Sequence, residues 1–153
     1  MNKPFDLVLM VGIPGSGKTT FYRERFFPSH LYISLDQLKT RSAEAELFAF
    51  ALNRRKSCVV DNTNVNIAER KRYIEPAQKV EDVRIVAYCF VPDLGGCIGR
   101  NGGRFGRMRV PEAAIKSRLA MFENPQFDEG FDEIFDVTVC EGAFKVRRRN
   151  EEE

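Results

Sequence analysis

The sequence predicts an α/β protein whose mainly parallel sheet is covered by helices on both faces, which makes three α/β/α layers. Short apolar runs, typical of buried parallel strands, alternate along the chain with segments whose apolar residues recur at helical spacing. Strands that alternate with helices form parallel sheets, and ligands bind such sheets beyond the carboxyl ends of the strands. Three polar clusters follow predicted strands at that edge: Gly12–Thr19, Asp36 and Asp61–Asn66.

Apolar runs predict the strands. The first run, Leu7–Val11, is short and continuous, which fits a strand buried on both faces. The third run ends in a carboxylate, Asp61. In chain order, the predicted strands are Leu7–Val11, Leu31–Ser34, Ser57–Asp61, Val83–Phe90 and Ile134–Val139.

Apolar stripes and end signals predict the helices. Pro28 ends the first helix, and Asn66 with Glu69 three residues later resembles a capping box. Pro111 fits the first turn of the last helix. The predicted helices are Lys18–Phe27, Ser42–Leu52, Asn66–Lys79 and one starting at Pro111 whose core face is Ile115, Leu119 and Phe122.

Composition limits the classes of function. The formal net charge of +2 does not by itself indicate a nucleic-acid partner. The four cysteines form no Cys-x-x-Cys pair and His30 is the single histidine, so we expect no zinc site. We expect no export signal and no membrane partner, and we expect the protein in the cytoplasm with reduced thiols. Composition does not predict the oligomeric state.

The chain length of 153 residues fits one domain. We expect this domain over residues 1–143 and a frayed, charged tail over residues 144–153. The reason for the tail is that Arg147–Arg149 is followed by Glu151–Glu153.

The segment Gly12–Thr19 matches the phosphate-binding motif G-x-x-x-x-G-K-[ST] without a substitution. Its glycines bring backbone N–H groups close to phosphate oxygens, and the following helix adds its positive end. We expect ATP here, with Lys18 on the β- and γ-phosphates and the Thr19 hydroxyl on Mg²⁺. A glycine-rich turn without a ligand is the alternative, and the strand-to-helix context disfavours it. The predicted ATP-binding residues of this motif are Gly12, Pro14, Gly15, Ser16, Gly17, Lys18, Thr19 and Thr20.

Two carboxylates follow the second and third predicted strands. Asp36 can accept the proton of an attacking hydroxyl in phosphoryl transfer. The alternative for Asp36 is a helix N-terminal cap, where Asp is common, and the neighbouring P-loop favours catalysis. Asp61 ends its strand as a Walker B aspartate does and can orient water on Mg²⁺. The candidate metal ligands are Thr19, Asp36 and Asp61.

Polar and basic side chains close to these carboxylates are candidate substrate contacts. Asn62, Thr63 and Asn64 suit a turn, and they also suit hydrogen bonds to a substrate. Lys39 and Arg41 lie close to Asp36 in sequence and can contact a substrate phosphate.

The segment Gly99–Arg109 combines four glycines with four arginines. Glycine disfavours a stable helix, so we expect a mobile lid that closes over ATP. Arginine forks bind phosphate and stabilise transition-state charge, which makes Arg100 and Arg104 candidate ATP ligands. The alternative is a solvated basic loop. The candidate catalytic residues are Lys18, Asp36 and Arg104.

Taken in order, these motifs resemble the kinase domain of the polynucleotide 5′-hydroxyl kinases over nearly the whole chain. The residues that carry the resemblance are the P-loop, Ser34-Leu35-Asp36, Val60-Asp61-Asn62-Thr63-Asn64, Arg100-Asn101 with Arg104, and Val110-Pro111. The resemblance implies a P-loop NTPase/kinase fold with a sheet of about five strands and an Arg/Gly-rich lid. It also implies ATP and Mg²⁺ as cofactors, Asp36 as general base and Arg104 as the lid arginine.

The resemblance further implies phosphoryl transfer from ATP to the 5′-hydroxyl of DNA or RNA. Family members often carry Asn-Arg before the base aspartate, and that arginine helps to hold a phosphate of the acceptor. Here the pair is Ser34-Leu35, so this contact is missing, and Lys39 or Arg41 is a candidate to replace it. A small-molecule or nucleoside kinase on the same scaffold therefore stays an alternative. A second alternative is an ATP-hydrolysing switch or partner module, which needs no base for an acceptor alcohol.

Overall fold

The computed structural model describes residues 3–106 and 109–152. Its six strands are β1 (Phe5–Val11), β2 (Leu31–Ile33), β3 (Cys58–Asp61), β4 (Val83–Phe90), β5 (Glu133–Cys140) and β6 (Ala143–Arg148). They form one sheet in the order β2-β3-β1-β4-β5-β6. Every pair is parallel except β5 with β6. The mainly parallel sheet is confirmed, with six strands where about five were expected.

The helices join these strands as an α/β chain requires. They are α1 (Lys18–Arg25), α2 (Leu35–Leu38), α3 (Arg41–Asn53), α4 (Ile67–Gln78), α5 (Leu94–Gly102) and α6 (Glu112–Ala120). The Asn66 side chain caps α4 by accepting the backbone N–H of Glu69 at 2.9 Å, as the sequence predicts. Among the described residues, no helix is both long and apolar enough to cross a membrane.

Apolar side chains fill both faces of the sheet, which confirms the three layers. On one face, Phe48 of α3 and Ile74 of α4 pack with Leu9 of β1. On the other face, Phe21 of α1 packs with Met10 of β1. A third apolar cluster lies beyond the carboxyl ends of the strands and joins the P-loop to α5 and α6; its buried members are Ile13, Val65, Cys97 and Ile115.

The predicted frayed tail is wrong for residues 144–148, because β6 pairs with β5 over this segment. Glu141 and Gly142 have φ angles of 51° and 77°, which suit the two central residues of a tight hairpin turn. Phe144 and Val146 pack on the core, and Lys145 and Arg147 face the other way. This alternation of apolar and basic residues with a period of two is typical of a strand, and the run of charged residues at the end of the chain obscured it in the sequence.

The first part of the glycine-rich segment is helical. Residues 99–102 belong to α5, so the expectation that glycine prevents a helix is wrong there. Asp93 caps this helix by accepting the backbone N–H of Gly96 at 3.1 Å. Cys97 and Asn101, one turn apart, are both buried and fix the helix on the domain. Tertiary packing therefore overrides the low helix propensity of glycine.

Candidate active site

The P-loop lies between the end of β1 and the start of α1. Gly15 and Gly17 have φ angles of 84° and 97°, a region that disfavours other residues. A Cβ on Gly15 would approach the carbonyl oxygen of Cys97 in α5 to 2.6 Å. The backbone N–H of Gly12 donates to the carbonyl of Thr63 at 2.9 Å. The loop is therefore closely packed against α5 on one side and hydrogen-bonded to the segment after β3 on the other.

Lys18 points into the centre of this loop. Its Nζ donates to the carbonyls of Gly12 and Ile13 at 2.9 and 3.1 Å. Burial lowers the pKa of Lys18, the charge of Asp61 opposes this shift, Arg104 adds to it and Asp36 opposes it. The predicted catalytic residues Asp36 and Arg104 thus shift the pKa of Lys18 in opposite directions.

The predicted metal ligands Thr19 and Asp61 lie next to each other. The Thr19 hydroxyl donates to Oδ2 of Asp61 at 2.8 Å, and the Tyr32 hydroxyl donates to the same oxygen at 2.5 Å. Burial and then the Asp61 charge raise the pKa of Tyr32 to about 12, so Tyr32 stays a donor at neutral pH. A hydroxyl and a carboxylate are hard oxygen ligands, and this pair fits Mg²⁺.

No cluster of three or more His, Cys, Asp or Glu side chains that could hold a metal occurs in residues 3–106 and 109–152. Mg²⁺ in nucleotide sites usually takes one or two protein ligands and completes its shell with phosphates and water. The Thr19–Asp61 pair has the composition of such a site, with Asp36 on a separate element.

Asp36 lies in the first turn of α2, a four-residue helix that begins after β2. Its side chain is exposed, and Ser34, not Asp36, occupies the N-cap position. The backbone N–H of Leu35, one residue before Asp36, donates to Oδ1 of Asn62 at 2.9 Å. Asn62 therefore fixes the helix turn that carries the candidate base.

A buried polar network behind Asn62 was not predicted from the sequence. Nδ2 of Asn62 donates to Glu44 at 2.7 Å and to the Tyr73 hydroxyl at 3.0 Å. The Tyr73 hydroxyl donates to the other oxygen of Glu44 at 2.8 Å. Burial, and then the hydrogen bond to Glu44, raise the pKa of Tyr73, and its bond with Asn62 works in the opposite direction. Both ends of the Asn62 amide are thus used inside the protein.

A cavity of 160 Å³ opens beside Asp36. Three arginines line it: Arg41, which the sequence indicated, and Arg72 and Arg118, which it did not. Lys39 is exposed at the end of α2 and is not among the lining residues. Arg118 also pairs with Glu69. The sequence does not indicate that Arg72 and Arg118 line one cavity, because they belong to α4 and α6, which are far apart in the chain.

The predicted substrate contacts Thr63 and Asn64 also line this cavity, although both take part in internal bonds. Nδ2 of Asn64 donates to the carbonyl of Met10 at 3.0 Å, and its own carbonyl accepts from Arg70 at 2.9 Å. Of the remaining P-loop residues, Ser16 is buried and Pro14 is half-buried, while Thr20 is exposed on α1.

The lid segment is held at both of its ends. Nε of Arg100 donates to the carbonyl of Gly15 at 2.6 Å, directly on the P-loop. Nδ2 of Asn101 donates to the carbonyl of Val110 at 2.6 Å, and Oδ1 of Asn101 accepts the backbone N–H of Val110 at 2.9 Å. Arg104 is half-buried, and its charge reaches Lys18. Arg107 and Met108, part of the predicted lid, lie outside the described residues.

Comparisons with known proteins show the family to which the chain belongs. The AAA domain family matches residues 31–125, a span that begins after the P-loop and includes Asp36, Asp61 and Arg104. The chain belongs to this family. The match covers the candidate base, the Walker B position and the lid of the AAA domain.

Two curated relatives align with nearly all of this AAA domain. A bifunctional polynucleotide phosphatase/kinase of Schizosaccharomyces pombe is 31% identical over 138 residues, which cover 86% of this chain and 33% of the relative. A putative bifunctional polynucleotide phosphatase/kinase of Acanthamoeba polyphaga mimivirus is 29% identical over 139 residues, which cover 87% of this chain and 33% of the relative. The chain thus spans about a third of the length of these relatives.

Solved structures show that the AAA domain has the fold of P-loop kinases. A fungal RNA kinase superposes with a TM-score of 0.69 at 17% identity, covering 93% of this chain and 78% of that one. A gluconokinase from Sinorhizobium meliloti 1021 superposes with a TM-score of 0.62 at 17% identity, and the match covers 92% of this chain and 86% of the gluconokinase chain.

Proposed function

We propose that this AAA domain is an ATP-dependent kinase that transfers the γ-phosphate of ATP to the 5′-hydroxyl of DNA or RNA. The observation that carries the proposal is the placement of Asp36. Its carboxylate lies on the wall of a cavity lined by three arginines and by Thr63, whose carbonyl accepts the backbone N–H of Gly12 in the P-loop at 2.9 Å. This placement supports a general base beside a pocket that suits an anionic alcohol, in a segment bonded to the phosphate-binding loop.

The chemistry follows from these positions. The P-loop N–H groups and Lys18 hold the β- and γ-phosphates of ATP. Asp36 accepts the proton of the acceptor hydroxyl as its oxygen forms a bond to the γ-phosphorus, and the bond from that phosphorus to the β-phosphate oxygen breaks to release ADP. Arg104 stabilises the charge that spreads over the transferred group. Thr19 and Asp61 would hold Mg²⁺, which would neutralise phosphate charge.

The arginine-lined cavity supports a nucleic-acid acceptor. Arginine binds phosphate through a planar fork, and a nucleotide acceptor carries a phosphate next to its reacting sugar. Arg41, Arg72 and Arg118 surround the cavity on which Asp36 lies. They can supply the phosphate contact that is missing at Leu35. The two curated relatives, named as polynucleotide phosphatase/kinases, support the same assignment.

An acceptor panel with labelled ATP tests the function. We expect transfer to 5′-hydroxyl oligonucleotides and weaker transfer to nucleosides and to gluconate, while a 5′-phosphorylated oligonucleotide serves as the blocked control. Higher kcat/KM for the nucleoside or the sugar would replace the proposal with a small-molecule kinase. ATP hydrolysis without transfer to any of these acceptors would favour the switch.

A pair of neighbouring variants tests the acceptor cavity. Arg72→Ala should raise the KM for acceptors that carry a phosphate and leave the KM for ATP unchanged. Lys71→Ala is the matched control, because Lys71 is exposed on the same helix, pairs with Glu75 and does not line the cavity. Equal KM values for the two variants would remove Arg72 from the acceptor site.

A further inference from the structure

A groove lies away from the P-loop, at the β6 edge of the sheet. It has a volume of 610 Å³, within the range of ligand-binding sites. Its wall carries a row of basic side chains at period two, Lys145, Arg147 and Arg149. Neither the P-loop nor the acceptor cavity uses any of these residues.

We propose that this β6 groove binds the phosphodiester backbone of a polynucleotide acceptor downstream of its reacting end. The proposal rests on the proposed function and extends it from a single acceptor nucleotide to the strand that follows. The groove, defined by its basic row together with Cys89, Asn124, Asp136 and Thr138, would hold backbone phosphates without reading base sequence.

The charge of the groove suits a polyanion. Three cations line it with a single carboxylate, Asp136. Arg149 is buried and donates to Asp136 at 2.6 Å and to the carbonyl of Pro125 at 2.5 Å, so it is a fixed part of the wall. Arg147 also pairs with Asp136, but its side chain is 58% exposed, and Lys145 is exposed. The two exposed cations can therefore reach phosphates while Arg149 neutralises the carboxylate.

The floor of the groove does not repel anions. Cys89, Val91 and Pro92 provide sulfur and carbon surface. Burial raises the pKa of the Cys89 thiol to about 12, so it remains neutral at physiological pH. An uncharged floor beneath a basic wall suits sugars and bases lying under a bound backbone, as in sequence-independent single-strand sites.

The groove lies on the same side of the sheet as the acceptor cavity. Cys89 lies two residues after Ala87 on β4, and Asp136 lies two residues after Ile134 on β5. Ala87 and Ile134 pack on the face of the sheet that α4 covers. Residues two apart on a strand point to the same face, so Cys89 and Asp136 also lie on this face. The acceptor cavity is lined on that side by Arg72 and Tyr73, both from α4.

A short stretch of chain separates the two sites. Arg118 lines the acceptor cavity, and Asn124, six positions later, lines the groove. Between them, the backbone N–H of Glu123 donates to the carbonyl of Val65 at 2.7 Å, which holds this stretch on the rim of the site. A strand whose first nucleotide occupies the cavity can continue past Asn124 into the groove.

A double variant with a matched control tests the proposal. Lys145→Ala/Arg147→Ala should raise the KM for a 5′-hydroxyl oligonucleotide of about 20 nucleotides several-fold at constant kcat, and should leave a dinucleotide acceptor unchanged. For a single-stranded oligonucleotide, the magnitude of the slope of log affinity against log salt should fall by about 1.4, because two phosphate contacts worth about 0.7 each are lost. Arg148→Ala is the control: Arg148 lies on the opposite face of β6 and pairs with Glu133.

Fluorescence anisotropy of a labelled oligonucleotide keeps this test independent of catalysis. If the wild-type protein phosphorylates no 5′-hydroxyl acceptor, the proposed function fails, and a selective loss of oligonucleotide binding in the double variant still supports the groove. Equal binding by the double variant and Arg148→Ala overturns the groove. Equal losses for long and short acceptors, or a raised KM for ATP, also overturn it, because the residues would then serve the central site.

Discussion

The side-chain oxygen of Asn62 accepts the backbone N–H of Leu35 at 2.9 Å, one residue before Asp36. This bond links the end of β3 to the short helix that carries the candidate base. The amide nitrogen of Asn62 donates to Glu44 and to the Tyr73 hydroxyl, so these two residues fix the orientation of the Asn62 side chain. Asn62 is thus a positioning residue for Asp36, because its amide is bonded within the protein at both ends.

Asn62→Ala should lower kcat while the KM for ATP stays near the wild-type value. Misplacing a catalytic group by about 1 Å can cost up to about 10²-fold in rate. Asn66→Ala is the matched control, since it removes a cap from α4 at a cost of about 1 kcal/mol without touching α2. Steady-state kinetics and melting curves of both variants make the comparison. A kcat loss that simply follows the melting temperature in both would assign Asn62 a structural role only.

Local patterns in the sequence predicted most of the fold but not the packing between distant segments. The strand-to-helix context of the motif at Gly12–Thr19 and the apolar strand runs depend on near neighbours, and the structure confirms both. Strand β6 was missed because its arginines, with Glu151–Glu153 soon after them, resemble a solvated tail, although Phe144 and Val146 supply the apolar face. Helix α5 was missed because propensity opposed it and buried contacts stabilise it.

The candidate site also combines residues that local motifs indicate with residues that only the tertiary fold brings together. Lys18, Thr19 and Asp61 could be found from motifs, and the structure brings them to one place. Glu44 lies within a predicted amphipathic helix, where nothing local distinguishes a buried carboxylate from an exposed one. Its role depends on Asn62 and Tyr73, which only the tertiary fold places beside it.

Asp36→Asn should keep ATP binding and lower the transfer rate by about 10²–10⁴, the usual effect of losing a general base. The amide keeps the shape of the side chain but cannot accept the proton. Gln37→Ala, an exposed neighbour on the same helix, should run near the wild-type rate. Single-turnover transfer with separately measured ATP affinity checks the outcome. Parallel losses of affinity and rate in Asp36→Asn would instead place this carboxylate in the metal site.

Lys18→Met should abolish transfer, because the charge that holds the phosphates is removed, and it should also change how stability depends on pH. Burial depresses the pKa of Lys18 below its model-peptide value of 10.5. Between the two pKa values the unfolded chain binds more protons, so Lys18 makes the wild type more stable as pH rises. The free energy of unfolding of the wild type minus that of Lys18→Met should therefore increase from pH 7 toward pH 10.5.

Urea titrations of both proteins at several pH values measure this difference. Other groups that ionise in the same range, such as the tyrosines, are common to the two proteins and largely cancel in the subtraction. A difference that stays flat or falls with pH would contradict a depressed Lys18 pKa.

Arg104 provides the sharpest test of the lid. Its backbone N–H donates to the carbonyl of Asn101 at 3.0 Å, and its charge contributes to lowering the pKa of Lys18. We therefore expect the guanidinium to act on the γ-phosphate that Lys18 would bind. Arginines that stabilise this transition state contribute about 10³–10⁵ in rate in related sites.

Arg104→Lys keeps the charge but loses the planar fork, so we expect it to be strongly impaired at saturating ATP. Arg109→Ala is the matched control from the same segment, because Arg109 is exposed, and it should cost much less. Single-turnover rates separate the chemical step from ATP binding and product release. If Arg104→Lys ran near wild type while Arg109→Ala did not, the catalytic arginine would have to be sought elsewhere in the lid. If neither variant slowed transfer, the segment would be a solvated basic loop, because a lid that stabilises the transferred phosphate cannot lose its arginine fork without a loss of rate.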